Sequence, residues 1–337
     1  MEGAFLGTDK QLQDMYQLCF NIPKIELHSH IGGNLRPATF LELAEKEGIS
    51  VDHIDFYNVT LKGAFDIFAV VGKILNSLDV LQRVIREIVE DYSKTNTRYL
   101  ELRSGPKAFG ENTKEDYIKA VVEVLEECET LFPHITVRLL VSINRSAPME
   151  SNLEAYELAK KYIVDEKCKY IVGLEFSGNP KDNSFEDYCE NIFNPAREAG
   201  IKISVHTAEI EDHHEETEKI LDFKPDRLGH CCYMNEEEFK RVAELEIPVE
   251  VCISSNVGTM NLSTISQIKH IPTLHSMGCT IIPCCDDTML FNTNMINETF
   301  ELVNMLKLEE EELKSILNKG IDAIFDDEVK ALLASET

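Results

Sequence analysis

The chain has 337 residues, of which 43% are hydrophobic, and α/β barrels reach this length as a single domain. Its 33 basic and 60 acidic residues give a formal net charge of −27, which argues against binding to nucleic acid or an anionic membrane because both need a basic surface. No apolar run approaches the ~20 residues that span a bilayer, and no secretory signal is visible. The ten cysteines include no Cys-x-x-Cys pair; we expect them to be reduced and the protein to be cytoplasmic.

Eight segments have the composition of β-strands, and helical patterns separate them along the chain. The predicted strands cover residues 25–30, 98–103, 136–143, 170–176, 201–206, 226–230, 248–253 and 279–284. Helices are predicted at 8–20, 37–47, 79–94, 113–131, from Ser151, from Ser184, at 215–221 and 235–245, and from Asn297 onward. Thr113 with Asp116, and Ser151 with Glu154, have the spacing of capping boxes at helix N-termini.

Strands that alternate with helices favour a parallel sheet, and eight such units favour a closed barrel. The alternative is an open doubly wound sheet, but no Gly-x-Gly-x-x-Gly turn follows the first strand. The sequence contains no linker, repeat or break in composition that would divide the chain. We therefore predict one α/β domain over residues 1–337, a (β/α)8 TIM barrel with extra N- and C-terminal helices.

Polar side chains collect where the predicted strands end, which is the face of a (β/α)8 barrel that carries active sites. Four of the ten histidines and three carboxylates follow these ends: His28, His30, His206, His230, Glu209, Asp286 and Asp287. Three histidines and an aspartate suit a cation such as Zn²⁺ with one position left for water. Glu209, three residues after His206, is placed for general acid catalysis. We expect His213 and His214 to be solvated, and the remaining histidines to be structural: His53, His134, His270 and His275.

Four motifs follow one another along the chain: His28-Ser29-His30, His206-Thr207-Ala208-Glu209, Gly229-His230 and Cys285-Asp286-Asp287. In this order and spacing they resemble the adenosine deaminase family of zinc hydrolases, from about residue 22 to residue 305. Three further segments look most like the adenosine deaminase-like branch, which includes the N6-methyl-AMP deaminases. These segments are Tyr99–Ser104, Gly173–Pro180 and Cys252–Val257.

The resemblance implies hydrolysis at C6 of a 6-aminopurine and one Zn²⁺ per chain. The implied metal ligands are His28, His30, His206 and Asp286. Glu209 would protonate N1 of the ring as water adds to C6, and His230 would orient or deprotonate that water. Asp287 would hydrogen-bond to N7, and the backbone of Gly178 would face N3 because a residue without Cβ allows close approach. The product would be an inosine-type compound with ammonia or an alkylamine.

The residue at position 32 bears on the substrate. Adenosine deaminases have an aspartate there that binds the 5′-hydroxyl, whereas this chain has Gly32. The loss of a carboxylate removes a like-charge penalty against a 5′-phosphate, which favours a nucleotide. The methyl-AMP branch usually has asparagine there, histidine where we align Gly72 and aspartate where we align Asn144, so this chain departs from its pattern as well. The basic candidates for a phosphate contact are Arg36, Lys73, Arg103 and Lys107, and the sequence singles out none of them.

We therefore predict a deaminase that acts on N6-methyl-AMP or AMP. The expected substrate-binding residues are His30, Gly32, Gly178, Glu209, Asp286, Asp287, Arg103, Ser104 and Asn144. The alternatives are deamination of free adenosine, a PHP-type phosphoesterase with two or three metal ions, and a barrel that binds a ligand without catalysis. We expect a monomer whose partner is a small purine, with no nucleic acid or membrane involved.

Overall fold

The computed structural model describes residues 9–52, 54–55 and 59–336. Eight parallel strands form one sheet in which each strand pairs with the next along the chain. The strands are β1 Lys24–His30, β2 Thr97–Ser104, β3 Thr136–Asn144, β4 Ile171–Ser177, β5 Lys202–Thr207, β6 Arg227–His230, β7 Val249–Val251 and β8 Ile281–Pro283. A parallel bridge between Ser29 and Asp286 connects the first strand to the chain after the last. The sheet is therefore a nearly closed barrel, which confirms the predicted fold.

Helices follow the strands and cover the outside of the barrel. They are α1 Asp9–Asn21, α2 Pro37–Lys46, α3 Leu61–Ile74, α4 Leu78–Ser93, α5 Lys114–Leu131, α6 Met149–Lys160, α7 Glu186–Tyr188, α8 Asn194–Glu198, α9 His214–Phe223, α10 Glu236–Glu244, α11 Ile253–Thr259, α12 His270–Ser276, α13 Met295–Leu306, α14 Glu310–Ile321 and α15 Asp327–Ala334. Short 3₁₀ turns lie at Ile31–Gly33 and Ile265–Gln267, and π-helical turns at Lys161–Asp165 and Cys189–Phe193. Residue 8, where we predicted the first helix to start, lies outside the described residues, as does His53.

The predicted capping boxes had different outcomes. Thr113 and Asp116 form the reciprocal hydrogen bonds of a capping box at the start of α5, as predicted. The prediction for Ser151 was wrong, because α6 begins at Met149 after Pro148. Two helices next to the barrel mouth, α3 and α11, were not predicted at all.

The two faces of strand β2 have opposite character. In β2, Leu100 and Leu102 join the apolar layer between the barrel and its helices, and on the outer side α4 contributes six buried side chains at helical spacing: Leu81, Val84, Ile85, Ile88, Val89 and Tyr92. Glu101 and Arg103, the intervening residues of β2, are also fully buried and form ion pairs across the barrel. The barrel interior therefore contains buried charges, and these support the groups at the C-terminal rim.

In the part of the chain that the structure describes, no helix has the length and apolar character needed to cross a membrane. The ten cysteines are free, and seven of them are buried, in keeping with the expectation of reduced cysteines. Cys168, Cys189 and Cys279 are partly exposed.

Candidate active site

Four side chains meet at the C-terminal rim of the barrel with the spacing of a metal site. Each of His28, His30, His206 and Asp286 offers one ligand atom, and these atoms all lie within 4.8 Å of one another. Nε2 of His28 and Nε2 of His30 each lie 3.5 Å from Oδ1 of Asp286, and the Nε2 atoms of His30 and His206 are 3.2 Å apart. Ligands of a tetrahedral Zn²⁺ with bonds of about 2.0–2.1 Å lie about 3.4 Å apart. The predicted ligands are therefore close enough to bind one ion.

Backbone hydrogen bonds hold this cluster together where β1 meets the chain after β8. The amide of Asp286 donates to the carbonyl of His28 over 2.9 Å, and the amide of His30 donates to the carbonyl of Asp286 over 3.2 Å. Asp286 itself has φ of 63°, in the left-handed region that non-glycine residues seldom adopt. Ala208 and His230 have the same unusual sign of φ at the ends of neighbouring strands. Such strain persists only where surrounding contacts enforce it, and it is typical of functional sites.

His28 shows most directly that the cluster fits a cation. Its Nδ1 lies 2.7 Å from Oε2 of Glu250, which places the ring proton on Nδ1 and leaves the lone pair of Nε2 toward the cluster. Nε2 is buried and has no hydrogen-bond partner among the described residues. Burial opposes a charge on His28, but Asp286 and Glu250 outweigh it and raise its pKa to about 9. The same two carboxylates would stabilise a metal ion that takes the place of the second ring proton on Nε2.

The other two imidazoles are suited to bind a metal ion as neutral ligands. Burial lowers the pKa of His30 to about 3 and lowers the pKa of His206 well below its usual range. Nδ1 of His206 lies 3.4 Å from Oε2 of Glu175 without forming a hydrogen bond.

Below the metal-ligand cluster, buried ion pairs form a network that includes Glu250. Oε1 of Glu250 accepts from Nε of Arg227 over 2.6 Å, and Oε2 accepts from both His28 and Arg103. Arg227 also pairs with Glu101 and donates to the carbonyl of Ala323. Since buried charges are stable only when they are paired, this network fixes the position of the carboxylate that orients His28. Our sequence analysis missed it, although a glutamate within the apolar strand Val249–Val251 was a usable signal.

Glu209 and His230 lie beside the metal-ligand cluster. Oε1 of Glu209 is 3.8 Å from Nε2 of His230, and Nε2 of His230 is 3.9 Å from Oδ2 of Asp286. Burial raises the pKa of Glu209 to about 8, which favours the protonated form of this carboxyl near neutral pH. Burial also lowers the pKa of His230 well below its usual range, so this imidazole is neutral.

A chain of side chains orients the ring of His230. The amide of Asn256 donates to Nδ1 of His230 over 3.2 Å, and Nε2 of His270 lies 3.0 Å from Oδ1 of Asn256. A neutral His230 therefore carries its proton on Nε2, which faces Glu209 and Asp286. Of the two roles expected for His230, this arrangement favours orienting a water molecule over deprotonating it. His270 is buried and structural, as expected.

Asp287 occupies space that a glycine leaves free. A Cβ atom at Gly33 would lie 1.6 Å from Oδ1 of Asp287, so a larger residue would displace the carboxyl group. Oδ1 of Asp287 is buried without a hydrogen-bond partner among the described residues. Burial and the adjacent Asp286 raise the pKa of Asp287 well above its usual range. A neutral Asp287 can donate a hydrogen bond to an acceptor in the cavity.

One cavity of about 360 Å³ opens over the cluster, a volume within the usual range for small-molecule sites. All nine predicted substrate-binding residues line it: His30, Gly32, Gly178, Glu209, Asp286, Asp287, Arg103, Ser104 and Asn144. Gly178 has φ of 111°, and a Cβ atom there would lie 2.3 Å from Oδ1 of Asn144, so glycine is required. The side chain of Arg103 is fully buried and donates to Glu250, so we assign it to positioning Glu250. A contact of Arg103 with the substrate stays a prediction.

An eight-stranded parallel barrel with a cluster of possible metal ligands at its C-terminal rim is an arrangement that metal-dependent (β/α)8 enzymes use. A family model described as adenosine deaminase matches residues 23–337. The chain therefore belongs to the adenosine deaminase family, as the motifs indicated.

Similar proteins come from the adenosine deaminase-like branch. An N6-mAMP deaminase of Arabidopsis thaliana is 32% identical, with 93% of this chain and 95% of that protein covered. The crystal structure of Arabidopsis N6-mAMP deaminase matches with a TM-score of 0.86 and 33% identity, over 94% of this chain and 98% of the other. A crystal structure of Arabidopsis ADAL complexed with IMP matches with a TM-score of 0.86 and 32% identity, over 95% and 96% of the two chains.

Proposed function

We propose that this protein is a zinc-dependent deaminase that removes the C6 amino substituent of an adenine nucleotide, with N6-methyl-AMP or AMP as substrate. The products are IMP and methylamine or ammonia. The observation that carries this proposal is the meeting of four metal-ligand side chains with Glu209 and Asp287 in one cavity. Support for a nucleotide comes from the relative named an N6-mAMP deaminase and from the relative that was crystallised with IMP.

Zn²⁺ held by His28, His30, His206 and Asp286 would supply a nucleophile at neutral pH by lowering the pKa of water. Protonated Glu209 is the general acid that delivers a proton to N1 of the purine, since addition at C6 places negative charge on that nitrogen. Asp287, also neutral, donates to N7 and fixes the orientation of the ring. The Nε2–H group of His230 orients the attacking water.

The neighbourhood of Gly32 supports a phosphorylated substrate. A Cβ atom there would lie 3.6 Å from Val71 and 3.8 Å from Phe68, which is ordinary contact, so packing does not require glycine. Position 32 therefore places no carboxylate in the cavity, although it has room for a side chain. Free adenosine remains the alternative substrate, and Gly32 is the residue that argues against it.

The experiment that tests this proposal compares kcat/KM for N6-methyl-AMP, AMP, N6-methyladenosine and adenosine. We expect the two nucleotides to be the better substrates and the release of IMP to be detectable for both. A preference for the nucleosides would contradict the nucleotide assignment and leave deamination intact. Absence of C6 hydrolysis on all four compounds in zinc-loaded protein would contradict the proposed function.

Removal of the metal should abolish activity, and addition of Zn²⁺ should restore it. Dialysis against a chelator is expected to reduce turnover to background, and about one equivalent of Zn²⁺ per chain should restore it. We expect one ion because a smaller cluster of possible ligands, made of His230, Cys252 and Asp286, shares Asp286 with the first. Elemental analysis of the active protein measures the stoichiometry. A value of two or three ions per chain would favour the phosphoesterase alternative.

The cytoplasmic location, the monomeric state and the single domain over residues 1–337 stay predictions. Size-exclusion chromatography with light scattering would measure the oligomeric state, and a particle of about 38 kDa is the mass expected for one chain.

A further inference from the structure

The walls of the cavity differ in chemistry. One wall is apolar and comes largely from α3, through Leu61, Phe65 and Phe68, with Phe291 beside it. The other wall is polar and follows the C-terminal ends of β2, β3 and β4. It includes Ser104, Lys107, Asn144, Ser146 and Ser177. The hydroxyl, amide and ammonium groups of this second wall could form hydrogen bonds to an anionic group on the substrate.

The net charge of the protein opposes the binding of a phosphate without a local cation. Of the three carboxyl groups that line the cavity, Asp286 has a lowered pKa and is ionised, and the chain as a whole carries a formal charge of −27. A 5′-phosphate carries up to two negative charges at neutral pH. Long-range repulsion would therefore oppose a nucleotide unless a positively charged side chain at the cavity offsets it.

Two basic residues are among the described residues that line this cavity, Arg103 and Lys107. The guanidinium of Arg103 is fully buried and paired with Glu250. Lys107 is exposed at the mouth and forms no hydrogen bond or ion pair with any described residue. Nearby protein atoms lower its pKa by desolvation, an effect that a bound anion would offset.

The two remaining basic candidates from the sequence are placed elsewhere. Arg36 donates to Glu90 and Asp91, and it lies outside the lining of this cavity. Lys73 is an exposed residue near the C-terminal end of α3 and does not line the cavity either. Of the four candidates, only Lys107 lines the cavity with an exposed cationic group. Nε and Nη1 of Arg103 also have no hydrogen-bond partner among the described residues, but they are buried.

We propose that Lys107 binds the 5′-phosphate of the nucleotide substrate and thereby sets the preference for nucleotides over nucleosides. Ser104 and Asn144, on the same wall, can supply neutral hydrogen bonds to the phosphate or ribose oxygens. This inference rests on the proposed function and deepens it. It assigns specificity to an ammonium group on the loop after β2 that lines the cavity.

The test compares wild type, Lys107→Met and Lys107→Arg with N6-methyl-AMP and N6-methyladenosine, which differ only in the 5′-phosphate. We expect Lys107→Met to lower the ratio of kcat/KM for the nucleotide to kcat/KM for the nucleoside by about 10- to 100-fold, the range of one charge-assisted hydrogen bond. Most of the loss should be an increase in KM for the nucleotide. Lys107→Arg keeps the charge and should retain most of the ratio. Lys73→Met is the matched control, and its ratio should equal that of wild type.

Binding of product gives an independent measurement. The dissociation constant of IMP, measured by calorimetry, should rise by a similar factor in Lys107→Met, and the wild-type constant should increase with ionic strength because salt screens the pair. A wild-type preference for the nucleotide that survives Lys107→Met would overturn this inference and leave the proposed function standing. Equal losses for the two substrates would overturn it as well, since the lysine would then be structural. A wild-type enzyme that prefers the nucleoside would overturn this inference together with the nucleotide assignment, and would leave deamination intact.

Discussion

Replacement of Glu209 by glutamine is expected to lower kcat/KM by about 10²- to 10⁴-fold, the contribution of a positioned general acid. The amide of glutamine has nearly the same shape as the carboxyl group but cannot release a proton to purine N1. Because Glu209 follows His206 by three residues and is not itself one of the four metal-ligand side chains, Zn²⁺ content should remain at about one per chain. Steady-state kinetics and elemental analysis on the same preparation measure both quantities.

The pH profile adds a second readout. The protonated form of Glu209 is the active one, and burial raises its pKa to about 8. The rate should therefore fall as the pH rises through this pKa, which a divalent ion nearby would shift downward. This fall in rate at high pH should be absent from the Glu209→Gln enzyme. Glu211→Gln, an exposed neighbour two residues away, is the matched control and should behave as wild type. A Glu209→Gln enzyme with wild-type turnover would remove this residue from the mechanism.

Replacement of Glu250 by glutamine should weaken metal binding by about 10- to 100-fold, as expected for a group that orients a metal ligand. Glu250 accepts from Nδ1 of His28 and pairs with Arg103 and Arg227. Loss of its charge leaves Arg103 buried without a carboxylate partner, and the free energy of unfolding should fall by about 3 kcal/mol or more. Competition with a chelator measures the Zn²⁺ affinity, and thermal denaturation of the metal-free protein measures stability.

Glu101→Gln separates these two effects. Glu101 pairs with Arg227 and accepts from the hydroxyl of Tyr99 and the amide of Phe325, but it does not contact His28. This variant should also lose stability, yet its Zn²⁺ affinity should stay within about twofold of wild type because the bond between Glu250 and His28 is intact. Equal loss of Zn²⁺ affinity in the two variants would show that Glu250 acts only through the stability of the barrel.

The metal-ligand cluster was predictable because residue spacing and fold were sufficient to place it. Two residues apart on a strand, His28 and His30 must share a face, and the C-terminal ends of parallel barrel strands meet at one rim. The same logic placed His206 and Asp286 at that rim, and the resemblance selected them as metal ligands. Side-chain contacts across the barrel interior could not be predicted in this way. No local pattern indicates that Glu250 and Arg103 meet, since they lie on β7 and β2 and approach each other only through the interior.

The incorrect or missing predictions near the mouth of the barrel have two different causes. Helix α3 has a Thr60 cap and buried residues at helical spacing, so its signal was present but was not used. Among the basic residues, the sequence could not distinguish Lys107 from Arg36, because the ion pairs of Arg36 with Glu90 and Asp91 depend on how α2 and α4 pack. A cation becomes a candidate ligand-binding group only when its protein partners are known.

The buried ion pairs also connect opposite ends of the barrel. Arg227 donates to the carbonyl of Ala323, and Glu101 accepts from the amide of Phe325, in the segment between α14 and α15. From these two backbone groups, contacts continue through Glu250 to the imidazole of His28. A change in the α14–α15 connection can therefore alter catalysis from the far side of the molecule, and a search for inactivating substitutions that stops at the rim would overlook it.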